Sequence, residues 1–297
     1  MEPHWDDMKV FLAVARTESL SGAGRKLKLD PATVGRRITR LESALGAPLF
    51  RKSPQGYALT PGGERLLAHG ERVEQAMRAG LDALSGSTDD LTGQIRIGAP
   101  DGCATYLLPQ VCLSIARENP DLDIQIVAQP RVVNLSRREA DMAITVSRPT
   151  AGQLLVQKIT DYHLHLVADE TYLDRHPLVR RDDLRGHPMV GYIPDMIFES
   201  ELDYLHELGV ARVAMASNSV PVQLKMTEGG QGLCVAHDFA LSSHPRLRKI
   251  LADQIALTRA FFLVRHQSDQ RSARLNRFST LLVERLRAEV NRLEALA

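Results

Sequence analysis

Apolar positions recur at helical spacing through the first part of the chain. Met8, Phe11, Leu12 and Ala15 share one face, Ala23 and Leu27 form a second short stripe, and Val34, Ile38 and Leu41 form a third at i, i+4, i+7. The last two stripes are parted by a break at residues 28–30. Asp30 followed by Pro31 predicts a helix start. Asp accepts hydrogen bonds from the free N–H groups of a first turn, and Pro at the first helical position gives up a donor that had no partner. Gly46 predicts the end of the same helix. The second helix carries Thr33, Arg36, Arg37 and Arg40 away from its apolar stripe. Helix, tight turn and a polar, Arg-rich second helix form the helix-turn-helix pattern, whose second helix enters the DNA major groove. Trp5, ahead of the first stripe, reads as a core or dimer contact.

Next come two short apolar pieces around Pro54, Gln55 and Gly56, a pattern that predicts a small hairpin, or wing, with Arg51 and Lys52 at its root. Thr60 and Pro61 repeat the cap-then-Pro signal. The helix they open carries Leu66, Gly70, Val73, Met77, Leu81 and Leu84 at spacings of three and four, a seam for a partner helix or for packing within its own domain. The polar run 85–90 breaks the period and reads as a hinge.

Beyond residue 93 the pattern alternates strands with helices. Strands are predicted at 94–99, 123–129, 141–147, 163–168, 189–192, 212–216, 233–236 and 260–265. Helices are predicted at 105–117, 219–228 and 271–296. Such alternation predicts an α/β domain with a parallel sheet and crossover connections.

The length of 297 residues suits two domains. The formal charge of +1 hides an asymmetry. Arg25, Lys26, Lys28, Arg36, Arg37, Arg40, Arg51 and Lys52 face only Asp30 and Glu42 in the same stretch, an excess that suits a polyanion. Cys103, Cys112 and Cys234 are too widely spaced for a zinc finger or a disulfide framework. No apolar run reaches the length of a membrane span and no signal-peptide core opens the chain, so a cytoplasmic protein without membrane contact is expected. No nucleophile elbow, P-loop or dinucleotide fingerprint is present. The expectation is therefore no enzyme activity, no cofactor and no metal. His163 and His165 share a strand face but lack further metal ligands.

The run 19–42, SLSGAGRKLKLDPATVGRRITRLE, closely resembles the LysR-type transcriptional regulators. The resemblance continues through Leu45-Gly46, Leu49-Phe50-Arg51 and 59–63, then 95–99, 107–109 and 119–120; the run 133–141 resembles one branch of the family. It implies a winged helix-turn-helix domain at 1–60, a dimerising linker helix and hinge at 61–91, and a two-lobed effector-binding domain like a periplasmic binding protein at 92–297. Lobe I is expected at about 92–161 and 267–297, lobe II at about 162–266. Implied partners are double-stranded promoter or operator DNA, a small-molecule effector, and further copies of the chain in a homodimer or homotetramer through the linker helix and effector domain. RNA polymerase is a further candidate partner. Candidate DNA-contacting residues are Ser21, Pro31, Ala32, Thr33, Gly35, Arg36, Arg37, Arg40, Arg51 and Lys52. Asp30-Pro31-Ala32 replaces the family's common Ser-Gln-Pro, and Gly35 stands where Ser is common, which moves base reading toward Thr33, Arg36 and Arg37.

A two-lobed sheet domain binds ligands at the carboxyl ends of its strands. The stretches expected there supply Asp101, Gly102, Cys103, Gln129, Ser147, Arg148, Asn218 and Ser219, with Tyr192 as a further lining residue. A helix starting near residue 101 favours an anion, unless Asp101 caps that helix itself. Cys103 is either a thiol-reactive sensor or a passive small side chain. Two other functions remain open from sequence: an enzyme with a fused DNA-binding head, and a DNA-organising protein without a ligand.

Overall fold

The computed structural model describes residues 4–53, 56–84, 91–128, 140–150, 152–197, 199–209 and 212–297. They form two compact units divided between residues 87 and 88.

In the first unit, α1 (Trp5–Thr17), α2 (Leu20–Leu27) and α3 (Pro31–Leu45) precede an antiparallel hairpin, β1 (Phe50–Ser53) with β2 (Gly56–Leu59). The long α4 (Pro61–Leu84) follows. The local signals act as the sequence predicts. Asp30 Oδ1 accepts the Ala32 N–H at 2.8 Å, and Lys28 and Gly46 adopt left-handed φ of 54° and 66° to close α2 and α3. Gly24 is required by the tight turn, because a Cβ there would stand 2.6 Å from the Leu29 carbonyl oxygen. Val34, Ile38 and Leu41 are buried in one core with Phe11, Leu12 and Phe50. The Phe11 and Phe50 rings lie 5.4 Å apart.

The first half of α4 packs inward. Gly70 lies against Met8 and Leu12, and Arg16 of α1 donates to both carboxylate oxygens of Glu74 at 3.2 and 2.7 Å. Further along, Val73 and Met77 are 50% and 55% exposed. The side chains of Leu81 and Leu84 fall outside the described residues.

The second unit opens with β3 (Gly93–Ala99), α5 (Asp101–Tyr106), α6 (Leu108–Glu118), β4 (Leu122–Ala128) and β5 (Met142–Thr145). The strand β6 (Leu154–Asp169) leads to α7 (Glu170–Arg175), β7 (Met189–Gly191), α8 (Tyr204–Glu207), β8 (Met215–Ala216) and α9 (Val220–Glu228). Then come β9 (Leu233–His237), α10 (Asp238–Leu241), β10 (Leu247–Lys249), β11 (Ala256–His266) and α11 (Ala273–Glu294). The sheet order is β4-β3-β5-β11-β6-β9-β7-β8, with β10 also on β6.

The sheet is mixed rather than parallel. β3 pairs parallel with β4 and β5, and β7 pairs parallel with β8 and β9. Between these two groups run β6 and β11, antiparallel to each other. They join lobe I, built on β3–β5, to lobe II, built on β7–β10. β6 begins at Leu154 rather than residue 163 because its first half places Gln157, Lys158 and Asp161 in solvent, which obscures the apolar run. Midway, β11 shifts register between Phe261 and Phe262, and there the Tyr162 ring stacks on Phe261 at 4.2 Å.

The helix expected at 105–117 is two helices parted at Leu107. Pro109, in the first turn of α6, has no N–H to give the carbonyl one turn back, so a continuous helix would leave that acceptor unmet.

Candidate nucleic-acid interface and interlobe cleft

On α3 the apolar stripe faces inward: Val34, Ile38 and Leu41 are at most 3% exposed. Pro31, Ala32 and Arg36 are exposed, Thr33, Gly35 and Arg37 are half-buried, and Ser21 of α2 is exposed beside them in sequence. Arg36 donates to the Thr33 hydroxyl at 2.8 Å, so the two move as one polar unit on the helix surface. Arg51 and Lys52 stand exposed on β1, with the Lys52 ammonium 5.8 Å from the Tyr57 ring centre. The wing's turn at Pro54 and Gln55 falls outside the described residues, and its strands pair as Arg51–Ala58 and Lys52–Tyr57.

Arg40 differs from its neighbours. Its Nε donates to Asp7 Oδ2 at 2.6 Å and a second donor meets Oδ1, while Asp7 is 1% exposed. That guanidinium therefore holds α3 onto α1 and pairs with a buried carboxylate, while the Arg40 side chain itself stays 48% exposed. Glu42, also on α3, accepts the Leu49 and Phe50 N–H groups at 2.7 and 3.2 Å and so fixes the wing. Neither Asp7 nor Glu42 stood out in the sequence, because each acts on a partner several turns away.

In the second unit the expected effector residues have separate fates. Asp101 opens α5, yet it does not cap α5. Its Oδ2 accepts the Val220 N–H at 2.9 Å, capping α9 in the opposite lobe, and the Ser219 hydroxyl bonds to the same carboxylate. Burial pushes the Asp101 pKa up, against the pull of these hydrogen bonds. The other end of α5 is also tied to lobe II. The Tyr106 hydroxyl and His244 Nε2 are 2.8 Å apart, and His244 Nδ1 lies 2.9 Å from Glu228 Oε1 at the end of α9. Burial works against Glu228 ionising, but hydrogen bonds from Lys225 and His244 outweigh it and hold this carboxyl below its ordinary range. Burial pushes the Tyr106 hydroxyl up to about 12.

Gly102 and Cys103 lie within this joint and are buried. Burial raises the Cys103 thiol, with Cys112 adding to the shift, so the helix N-terminus does not yield a thiolate. This favours the passive reading of Cys103, whose side chain is buried. Ser147, at the end of β5, bonds to Glu199 from lobe II, whose pKa is raised first by burial. Arg148 is exposed, and Asn218 sits half-buried in the turn before α9. Gln129 lies outside the described residues. His163 and His165 are structural: the first meets Glu294 at 2.9 Å, the second meets Asp238 at 2.8 Å beside Lys249.

Open space remains beside this closed joint. A chamber of about 420 Å³ lies within lobe II, walled by Tyr192, Tyr204, Val190, Leu205, Val235 and Gln223 among others. Its size is that of a small-ligand site. Sequence reasoning reached Tyr192 but missed Tyr204, because the segment that carries it has neither helical nor strand period.

Comparison with known proteins gives the class. Residues 5–64 match the family described as bacterial regulatory helix-turn-helix protein, lysR family, and residues 88–287 match the LysR substrate binding domain. The chain belongs to the LysR family of transcriptional regulators, with a helix-turn-helix head and an effector-binding domain. It is similar to the HTH-type transcriptional regulator DgdR of Burkholderia cepacia, 27% identical over 85% of this chain and 86% of that protein. Its fold is like that of full-length OxyR from Pseudomonas aeruginosa (TM-score 0.71, 16% identity, covering 96% and 98%). It is also like LysG from Corynebacterium glutamicum, solved with the effector arginine bound (TM-score 0.64, 17% identity, covering 96% and 98%).

Proposed function

We propose that this chain reads promoter or operator DNA with α3 as a homodimer or homotetramer, and that a small molecule held between its lobes changes that reading. Thr33, Arg36 and Arg37 face base edges, with Ser21, Pro31, Ala32 and Gly35 at the groove. Arg51 and Lys52 on the wing hold phosphates, a contact that fixes register without reading sequence. The exposed Val73 and Met77 on α4 are covered by the same helix of a second copy. The effector sits in the chamber at Tyr192, beside the joint between the lobes, and RNA polymerase is the partner through which the promoter responds. The protein acts in the cytoplasm, without catalysis or cofactor; among the described residues no helix is long and apolar enough to cross a membrane.

The observation that carries this reading is the division of α3 into a buried apolar stripe and an exposed face on which Arg36 is braced by Thr33. Selection of duplexes from a random pool by the purified full-length chain tests it. Enrichment of a dyad-symmetric site, with half-sites spaced by a helical turn or a multiple of one, is the expected outcome. Recovery of unrelated sequences at even frequency would favour a DNA-organising role instead.

A further inference from the structure

The lining of the chamber discriminates between ligands by their charge. In a two-lobed domain of this kind, the free N–H groups at the start of a helix beside the cleft offer an anion its natural seat. Here that seat is filled from within. Asp101 accepts the Val220 N–H at 2.9 Å and takes the Ser219 hydroxyl, so α9 is capped by the protein's own carboxylate.

The chamber walls carry no Lys or Arg among the described residues. The charged side chain on the wall is Asp203, whose Oδ1 accepts the His206 N–H at 3.3 Å. A further carboxylate, Glu199, lies on the same segment. It reaches Ser147, while its Oε2 is buried without a hydrogen-bond partner among the described residues. Neither Asp101 nor Glu199 has a basic partner among the groups that act on it, and burial raises both. Arg259 lies 5.6 Å over the Tyr204 ring. It donates to the carbonyls of Glu201 and Thr258 rather than lining the chamber.

The remaining surface is aromatic. Tyr192 and Tyr204 meet edge to face, with ring centres 6.0 Å apart. Tyr162, fully buried, has a hydroxyl with no hydrogen-bond partner among the described residues. A wall that carries one carboxylate, aromatic rings and, among the described residues, no Lys or Arg attracts a cation and disfavours an anion, because a low-dielectric cleft lined by one sign focuses that field.

We propose that the effector is an organic cation, an amine on an apolar or aromatic body, whose body fills the chamber between Tyr192 and Tyr204 and whose charge is met by Asp203. This rests on the reading of the chamber as the effector site. A bound cation would also favour the ionised forms of Glu199 and Asp101, which burial alone disfavours.

The test uses the full-length protein and probes matched in skeleton: 2-phenylethylamine, 2-phenylethanol and phenylacetate, with tyramine and 4-hydroxyphenylacetate as a second set. Binding is read by calorimetry and by thermal shift. The amines are expected to bind about tenfold or more tightly than the matched carboxylates. Asp203→Asn, which keeps an oxygen for the His206 N–H, is expected to erase that preference while leaving 2-phenylethanol binding unchanged. Glu199→Gln is expected to reduce it in part. Tighter binding of the carboxylates would overturn the cation inference and leave the ligand reading intact. Binding by none of the probes would overturn both. An amine preference that survives Asp203→Asn and Glu199→Gln would place the charge elsewhere and overturn the assignment.

Discussion

Asp101 Oδ2 and the Val220 backbone N–H meet at 2.9 Å across the two lobes, so the first residue of one lobe's helix caps the first turn of the other's. Asp101→Ala removes that cap and is expected to cost about 1 kcal/mol, in the range of helix N-caps. Urea unfolding of the full chain measures it, and Asp101→Asn, which keeps an acceptor, should recover most of the loss. The native pKa of Asp101 is raised, so above the ordinary carboxylate range the folded state binds more protons than the unfolded one. Its contribution therefore falls as pH rises through the native pKa. Asp101→Asn should flatten that slope.

His237 gives the opposite pH sign. Burial lowers its pKa to about 4, and its Nδ1 has no hydrogen-bond partner. Between pH 6.5 and 4 the unfolded chain takes up a proton that the folded chain refuses. The expected loss is ~3 kcal/mol on acidification through that window. His237→Phe, which keeps the stack on Tyr162, should remove this part of the acid sensitivity. An unchanged acid limb in calorimetric scans would contradict it.

Arg40 and Lys52 separate structure from recognition. Arg40→Ala leaves the Asp7 carboxylate buried without its partner, so it should lower the unfolding midpoint as well as DNA affinity. Lys52→Ala should leave the midpoint alone, weaken specific and random duplexes together, and reduce the salt slope of binding by about one.

Arg36→Ala should lose about 1–3 kcal/mol of discrimination against the wrong base while random-duplex binding changes little. Competition between the selected duplex and variants of it reads this directly. Equal loss on all duplexes would move Arg36 to the phosphate contacts.

Met77 is more than half exposed on α4. Met77→Asp is expected to shift sedimentation toward the monomer; an unchanged profile would assign the seam to packing within the chain.

The helix-turn-helix was legible because its signals are local. Asp30, Pro31 and Gly46 act on neighbours within a turn, and the stripe of Val34, Ile38 and Leu41 is sufficient to orient α3. The cleft was legible only in outline. Its strand ends were placed, but Asp101 serves a helix 119 residues away, Ser147 meets Glu199 of the opposite lobe, and the chamber depends on an irregular segment around Tyr204. The antiparallel pairing of β6 with β11 was hidden for the same reason, since it joins residues far apart in sequence across a strand whose first half is wet. The pairing of Arg40 with Asp7 was hidden too, because Asp7 reaches it from another helix.

The proposed function makes the chamber and α3 two ends of one switch, and the most direct test is the affinity of the full-length protein for its selected duplex. That affinity is measured with and without a saturating concentration of the tightest-binding amine of the matched probes. A change of about 5–150-fold is predicted, the usual range of coupling between sites, with the duplex altering amine affinity by the same factor. Identical duplex affinity in both conditions, with the amine bound throughout, would contradict it.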